Sequence, residues 1–423
     1  MTNRFESIAV ENRKVELVPW VLVAGGFHSC GGMDKANGAL AAFLLERKTP
    51  LHLVTHQVDP EFSEHPGVRV HLVPRPAKSF FLGEWFLDRT GRAVAQKVVS
   101  QWPRSRVVVN GGNCIWPDIN WVHYVHHAYT PRGAPVWSGA RHRITAAISK
   151  RREQQAISSA KLVLANSNRT RSDLIRNLGV NPGRVHIIYL GADPSWCPPT
   201  PQETSWARSR LRQDGRPLVV FVGALGHDQR KGFDILWSVW RALCGRLDWD
   251  ANLVVVGDGR RLGRWQSDIA ASGLSSRVRL LGFTNRVRDV LAAADLLVSP
   301  ARYEPFGLNV QEAICRGVPA LASRSVGVAE RYPVELSEML LPDPEDIDDL
   351  AARLLRWRSH MSYWKNAFQP FSNALRSYTW KDMARRVVEI TECGDHGSAD
   401  ALNSLSQASG ADAVAQPAPE LNV

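Results

Sequence analysis

The chain has 423 residues, 44% of them apolar and 22% charged, with 15 tryptophans and a formal net charge of +11. That length exceeds one ordinary hydrophobic core and suits two domains, and the composition excludes a globally disordered chain. No apolar run approaches the roughly 20 residues that span a bilayer, and the polar opening MTNRFESIAVENRKVELVPW lacks the apolar core of a signal peptide.

A soluble cytoplasmic protein is therefore expected. Residues 1–190 hold 25 Lys and Arg against 13 Asp and Glu, and the remainder 27 against 28. A basic half suggests an anionic partner, such as an acidic acceptor or the lipid headgroups at the inner face of a membrane. Nucleic acid is disfavoured, because the basic residues are not interleaved with aromatics and no known module is present. The six cysteines (30, 114, 197, 244, 315, 393) show no C-x-x-C and no zinc spacing, which predicts reduced packing residues and no bound metal.

Residues 1–17 read as a mobile leader. Trp20–Ala24 predicts a buried strand, followed by a glycine-rich loop through Gly31, Gly32, Met33 and Asp34, and then a helix with Ala36, Leu40, Phe43 and Leu44 on one face. Strand, glycine loop and helix bring backbone amides toward a phosphate, though neither a P-loop nor the dinucleotide spacing is present. Leu51–Thr55, Val68–Val73 and Val107–Asn110 predict further strands. Between them, Phe80, Phe81, Leu82, Trp85 and Phe86 with Arg75 and Lys78 suit a packing helix better than a membrane-surface one. NWVHYVHHAY, residues 120–129, starts with strand alternation and crowds His123, His126 and His127 where strands of an open α/β sheet present ligand-binding groups. The run Arg141-His142-Arg143, then Lys150-Arg151-Arg152, reads as a basic helix face.

Leu162–Ala165, Asn166–Asp173, Leu174–Gly179 and Val185–Tyr189 predict strand, capped loop, helix and strand. ADPSWCPPTPQETSW, 192–206, reads as a linker. Leu218–Val222 predicts the first strand of a second domain, with Arg230, Lys231 and Gly232 ahead of a helix from Phe233 to Leu243. Leu253–Val256 leads into Gly257-Asp258-Gly259, and Val278–Leu281 into Gly282-Phe283-Thr284. Leu296–Val298, a loop, a helix from Leu308 to Arg316 and a strand from Val318 to Ala322 form the most informative unit. In it Glu304 lies just ahead of the helix. Glu312 shares a face with Leu308 and Cys315 and is expected to look inward, which is costly unless something bonds it. Phe306, Gly307 and Leu308 present free N–H groups at the helix start, suited to phosphate. The bland readings are a helix-start acid at Glu304 and a solvated or arginine-paired Glu312. Boundaries are expected at 18–191, 192–206, 207–378 and 379–392 (a last helix), with 393–423 a disordered tail.

E-P-F-G-L with a second Glu eight positions after Glu304 resembles the E-x7-E motif of retaining glycosyltransferases of family 4. The run ANS…T-R-S-D-L-I…V-x-x-I-Y-L-G-A-D, residues 165–193, resembles the end of that family's first domain. The resemblance implies the α/β GT-B fold: two Rossmann-like, doubly wound parallel-sheet domains facing across a cleft. It implies transfer of a hexosyl group from a nucleoside-diphosphate sugar to a glycan, lipid-linked or small-molecule acceptor, with retention of anomeric configuration and without a metal or other cofactor. Site roles follow from it. Glu304 and His126, with His127 as second choice, would hold the sugar, and Lys231 with Arg230 the diphosphate. Gly31, Gly32, Gly257, Phe283, Phe306, Gly307 and Leu308 would line the donor site, Glu312 would hold the ribose, and Asp34 and His127 would meet the acceptor. The family's usual arginine after the strand glycine is replaced by Ala224, which leaves a catalytically silent nucleotide-sugar or polyanion-binding module as the alternative. Asp248-Trp-Asp250 and Asp346-Ile-Asp348 match the D-x-D metal signature of the other glycosyltransferase fold, but sit in turn and helix-start contexts.

Overall fold

The computed structural model describes residues 18–29, 31–76, 80–130, 139–212 and 214–393. The expected leader, the tail from 394, Cys30 and Lys78 lie outside the described residues, as do the side chains of Phe80, Phe81, Arg141, His142, Arg143 and Cys393. The first sheet is built from β1 (Trp20–Val23), β3 (Leu51–Thr55), β5 (Val68–Leu72), β6 (Arg106–Val109), β7 (Ile119–Val122), β8 (Leu162–Ala165) and β9 (Val185–Ile187), with β2 (Gly26–Phe27) and β4 (Gln57–Val58) pairing apart from it. Its order is β5-β3-β1-β6-β7-β8-β9, and the pairs are parallel. The second sheet comprises β10 (Leu218–Val222), β11 (Asn252–Val256), β12 (Val278–Gly282), β13 (Leu296–Ser299), β14 (Ala320–Ser323) and β15 (Leu340–Leu341), in the order β12-β11-β10-β13-β14-β15, also parallel.

These strands are short apolar runs because helices cover both faces of each sheet, so a strand has no solvent side on which to alternate. Strand order reverses between β1 and β6 in the first sheet and between β10 and β13 in the second. Ligands of such sheets bind outside the carboxyl ends of the strands at that reversal. The loops there are 24–31 in the first domain, and 223–232 and 300–307 in the second.

The 192–206 stretch is shorter as a linker than its prolines suggest. Helix Pro201–Arg210 begins inside it, started by a capping box between Thr200 and Glu203 with Pro201 in the first turn. After β15 the chain recrosses to the first domain. Ala192 donates to the Tyr378 carbonyl and Trp380 to that of Ala192. Helix Trp380–Cys393 then joins helix Gly32–Glu46 through ion pairs Lys381–Glu46 and Arg47–Glu392. No helix among the described residues is long and apolar enough to cross a membrane.

Candidate active site

Between the two sheets lies a cleft of about 710 Å³, bordered by the loops at both strand-order reversals. On the second domain its wall is the segment after β13. Arg302 anchors the start of that segment to Asp234 at 2.7 Å and Glu345 at 2.5 Å. The Arg302 N–H also donates to the Arg230 carbonyl at 2.8 Å, which lays Arg230 and Lys231 alongside Glu304. Gly232, with φ +74°, lets this turn pass against the Pro300 carbonyl where a Cβ would collide.

Glu304 is paired with Lys231 through the Nζ and lies 3.9 Å from Arg230 Nη1. Burial works to raise its pKa, but the two cations outweigh it and hold the carboxyl below its ordinary value. Gly307, with φ +94°, then turns the chain into helix Leu308–Cys315, whose amino end has no side-chain cap. Asn309 fixes this end by donating to the Val222 carbonyl at the end of β10 (2.9 Å). The open Gly307 and Leu308 amides therefore stand beside two cations and one carboxylate, which suits an anion with hydroxyls attached.

The facing wall belongs to the first domain. Gly31, with φ +88°, starts helix Gly32–Glu46, again without a side-chain cap. A Cβ on Gly32 would sit 3.3 Å from Leu308 Cδ2, so a side chain there would crowd the opposite wall. Lys35, one turn into this helix, reaches across and pairs with Glu312 at 2.7 Å. It also lies 5.7 Å from the centre of the Trp196 ring. Burial raises the Glu312 pKa, with Lys35 opposing and Asp193 adding to the rise. Lys35 is a site residue that the sequence reading missed. Its signal was present: it is the cation one helical turn beyond the Gly31-Gly32 pair.

Of the expected residues, Gly31, Gly32, Arg230, Lys231, Phe283, Glu304, Phe306, Gly307, Leu308 and Glu312 border the cleft. Four do not. His126 and His127 turn away from it, because β7 ends at Val122 and the chain then coils into a short turn at His126–Ala128. Their Nδ1 atoms lie 3.0 and 2.8 Å from the two oxygens of Glu153, a fully buried carboxylate that also accepts both backbone N–H groups. The histidine at the cleft is His123, the first residue beyond β7. Both its ring nitrogens are buried with no partner among the described residues, and burial pulls its pKa down to about 3, so the ring is neutral. Asp34 points back toward His28, 3.7 Å away, and does not line the cleft. Burial pushes its pKa up to about 6 against the pull of His28. Gly257 packs beneath the site, where a Cβ would collide with the Gly223 carbonyl. Of the D-x-D aspartates, Asp248 pairs with Arg246 and Asp250 with Arg358, while Asp346 caps the helix Ile347–Ser359.

Two cations, two carboxylates and two uncapped helix ends thus meet in one cleft, a set that suits a phosphorylated, hydroxyl-rich ligand. A family model described as Glycosyl transferases group 1 matches residues 202–363, and one described as Glycosyltransferase Family 4 matches residues 30–196. The chain belongs to this glycosyltransferase family and has the GT-B fold. It is 29% identical over 218 residues to an alpha-D-kanosaminyltransferase of Streptomyces kanamyceticus, covering 50% of this chain and 56% of that protein. It is 26% identical over 247 residues to mannosylfructose-phosphate synthase of Agrobacterium fabrum, covering 55% and 53%. The chain thus spans about half the length of the curated relatives it matches. Among solved structures, WaaG, a glycosyltransferase involved in lipopolysaccharide biosynthesis, superposes with a TM-score of 0.68 at 19% identity, covering 88% of this chain and 99% of that one. Anabaena HepE, solved with UDP and glucose, superposes with a TM-score of 0.65 at 18% identity, covering 89% and 100%. At these identities the superpositions establish the fold.

Proposed function

We propose that the protein transfers a hexosyl group from a nucleoside-diphosphate sugar to an acceptor, with retention of anomeric configuration and without a metal. The observation that carries this reading is the Glu304–Lys231–Arg230 cluster beside the uncapped helix at Gly307 and Leu308. Lys231 and Arg230 neutralise Glu304 in this structure. A diphosphate entering the cleft would draw Lys231 and Arg230 to itself and be capped by the two amides, which frees the Glu304 carboxylate to accept bonds from sugar hydroxyls. The same exchange at the other end frees Glu312 from Lys35 to accept from ribose hydroxyls. As the glycosidic bond breaks, negative charge grows on the leaving diphosphate, and these cations and amides are already aimed at it. Arg230, 5.2 Å from the centre of the Tyr124 ring, supplies the cation that Ala224 does not. That argues for an active enzyme over a silent binding module.

His123, neutral and unpartnered, would accept from or donate to a sugar hydroxyl at the reacting end, replacing His126 in that role. Among the described residues no side chain stands out as a covalent nucleophile, in keeping with a same-face displacement in which the leaving diphosphate takes the acceptor proton. A cytoplasmic location belongs to this reading. So does contact with an anionic membrane through exposed Leu82 and Trp85, beside Arg89, on helix Phe80–Gln101. A thermal-shift panel of UDP-, GDP- and ADP-sugars, followed by proton NMR of the product anomeric centre, tests the proposal. Stabilisation by one donor class and a product with the donor's configuration are expected. A product of inverted configuration, or no response to any donor, contradicts it.

A further inference from the structure

The helix Asn168–Leu178 belongs to the first domain, yet its amino end is bonded to the second. Glu330 accepts from the backbone N–H of Asn168 at 2.6 Å and of Arg169 at 3.1 Å. Ser167, the helix cap, accepts from Thr170 N–H at 3.0 Å and donates its own hydroxyl to the Pro305 carbonyl at 2.6 Å. The Arg169 guanidinium lies 5.1 Å from the centre of the Tyr303 ring and donates to the Ser325 carbonyl at 3.2 Å.

The second-domain partners form one unit. Gly327 N–H donates to the Glu304 carbonyl at 3.0 Å, and Val328 N–H to that of Phe306 at 2.6 Å. Glu304 also bridges to Val326. The Pro305 carbonyl, between those two, is taken by Ser167, and a Cβ on Gly327 would collide with that carbonyl and lie 2.8 Å from Ser167 Oγ. The segment carrying Glu304 is thus held on one side by its own domain and on the other by the amino end of a first-domain helix.

We propose that this helix end and Glu330 form an interdomain clasp that sets the position of Glu304, with Glu330 and Ser167 as positioning residues. The inference rests on the assignment of Glu304 to the sugar. With the domains docked, Pro305 and Arg169 are satisfied and the Glu304 segment is fixed. With the domains apart, the segment loses those partners, so the sugar is gripped in reacting geometry only when the acceptor domain is in place. Two hydrogen bonds to one carboxylate are worth enough to matter and little enough to open during turnover.

Glu330 is exposed, so its replacement opens no core. The test compares Glu330→Ala, Glu330→Gln and wild type as the full chain, by small-angle scattering without ligand, by calorimetry with the donor found in the thermal-shift panel, and by steady-state turnover. The clasp predicts a larger radius of gyration for Glu330→Ala than for wild type. It also predicts donor affinity within about twofold and kcat lower by about tenfold, which equals about 1.4 kcal/mol. Glu330→Gln, which keeps one acceptor oxygen, should recover at least about threefold of that loss. An Ala variant as compact as wild type overturns the clasp by itself, even should the wild-type protein bind no nucleotide sugar and the functional reading fail. Unchanged kcat, a parallel loss of donor affinity and kcat, or a Gln variant as poor as Ala also overturns it.

Discussion

Replacing Gly307 by alanine should damage stability and the donor site together, for two separable reasons. Gly307 has φ +94°, where an L-residue is disfavoured by about 1–2 kcal/mol. An added Cβ would also overlap Val326 Cγ1 and stand 3.5 Å from Glu304 Cγ and Val328 Cγ1. Val326 is 1% exposed and bridged to Glu304, so it has no free direction in which to yield. Overpacking of this kind costs about 1–3 kcal/mol. The sum, about 2–5 kcal/mol, corresponds to a fall in melting temperature of roughly 5–15 °C for a domain of this size. Urea unfolding of Gly307→Ala, Val326→Ala and the double variant separates the two terms. The double variant should recover about 1–3 kcal/mol relative to the sum of the singles, because the overlapping methyl is gone while the backbone strain remains. Donor affinity should stay reduced in both variants that carry the Gly307→Ala substitution, since the strained turn still displaces the Leu308 amide. A Gly307→Ala protein within about 0.5 kcal/mol of wild type, a change typical of an ordinary surface site, would refute this reasoning.

His123→Ala should lower turnover more than donor affinity, whereas Glu312→Gln should weaken donor binding about tenfold or more, as loss of a charged hydrogen-bond partner does; calorimetry with turnover on both variants decides this. Glu153→Gln should cost about 2–4 kcal/mol at neutral pH, because a buried carboxylate that holds two histidines is lost. Burial raises the Glu153 pKa, but the His126 and His127 bonds outweigh it and leave the group below its ordinary value. Its stabilisation is therefore full above the unfolded carboxyl range and lost as pH falls through the folded pKa, so the acid limb of wild-type stability should flatten in the variant. Asp34 has the opposite sign: its pKa of about 6 lies above the unfolded value, so stability drains away as pH rises through 6. Asp34→Asn should gain about 1–2 kcal/mol at pH 8 and nothing at pH 4, measured by urea midpoints at both.

Much of the second domain was legible because its chemistry is local. Gly307, Glu304 and Glu312 lie within nine residues on one loop and helix, so their spacing alone places them around one helix tip. Lys231 likewise announced itself ahead of a helix. The first domain was harder. The resemblance put His126 first, but the backbone leaves the sheet after Val122, so alternation has no meaning beyond it and the histidine bordering the cleft is His123. The rule that ligands gather where strands end selects His123 only once the strand is known to stop at Val122. Glu153 was opaque because its partners lie 26 and 27 residues earlier and because it closes the basic run Lys150-Arg151-Arg152, which masks a single acid. Lys35–Glu312 and Glu330–Asn168 join residues 277 and 162 positions apart, and no periodicity or spacing rule reaches such pairs.

On the proposed function, the cleft face of the second domain holds a nucleoside diphosphate through Lys231, Arg230 and the Gly307-Leu308 amides. Titration calorimetry of UDP, GDP and ADP into wild type and Lys231→Met tests it most directly. One nucleotide should bind wild type, with affinity lower by at least about tenfold in the variant, the loss expected for one charge-assisted phosphate contact. Equal binding by both proteins, or none by wild type, would contradict it.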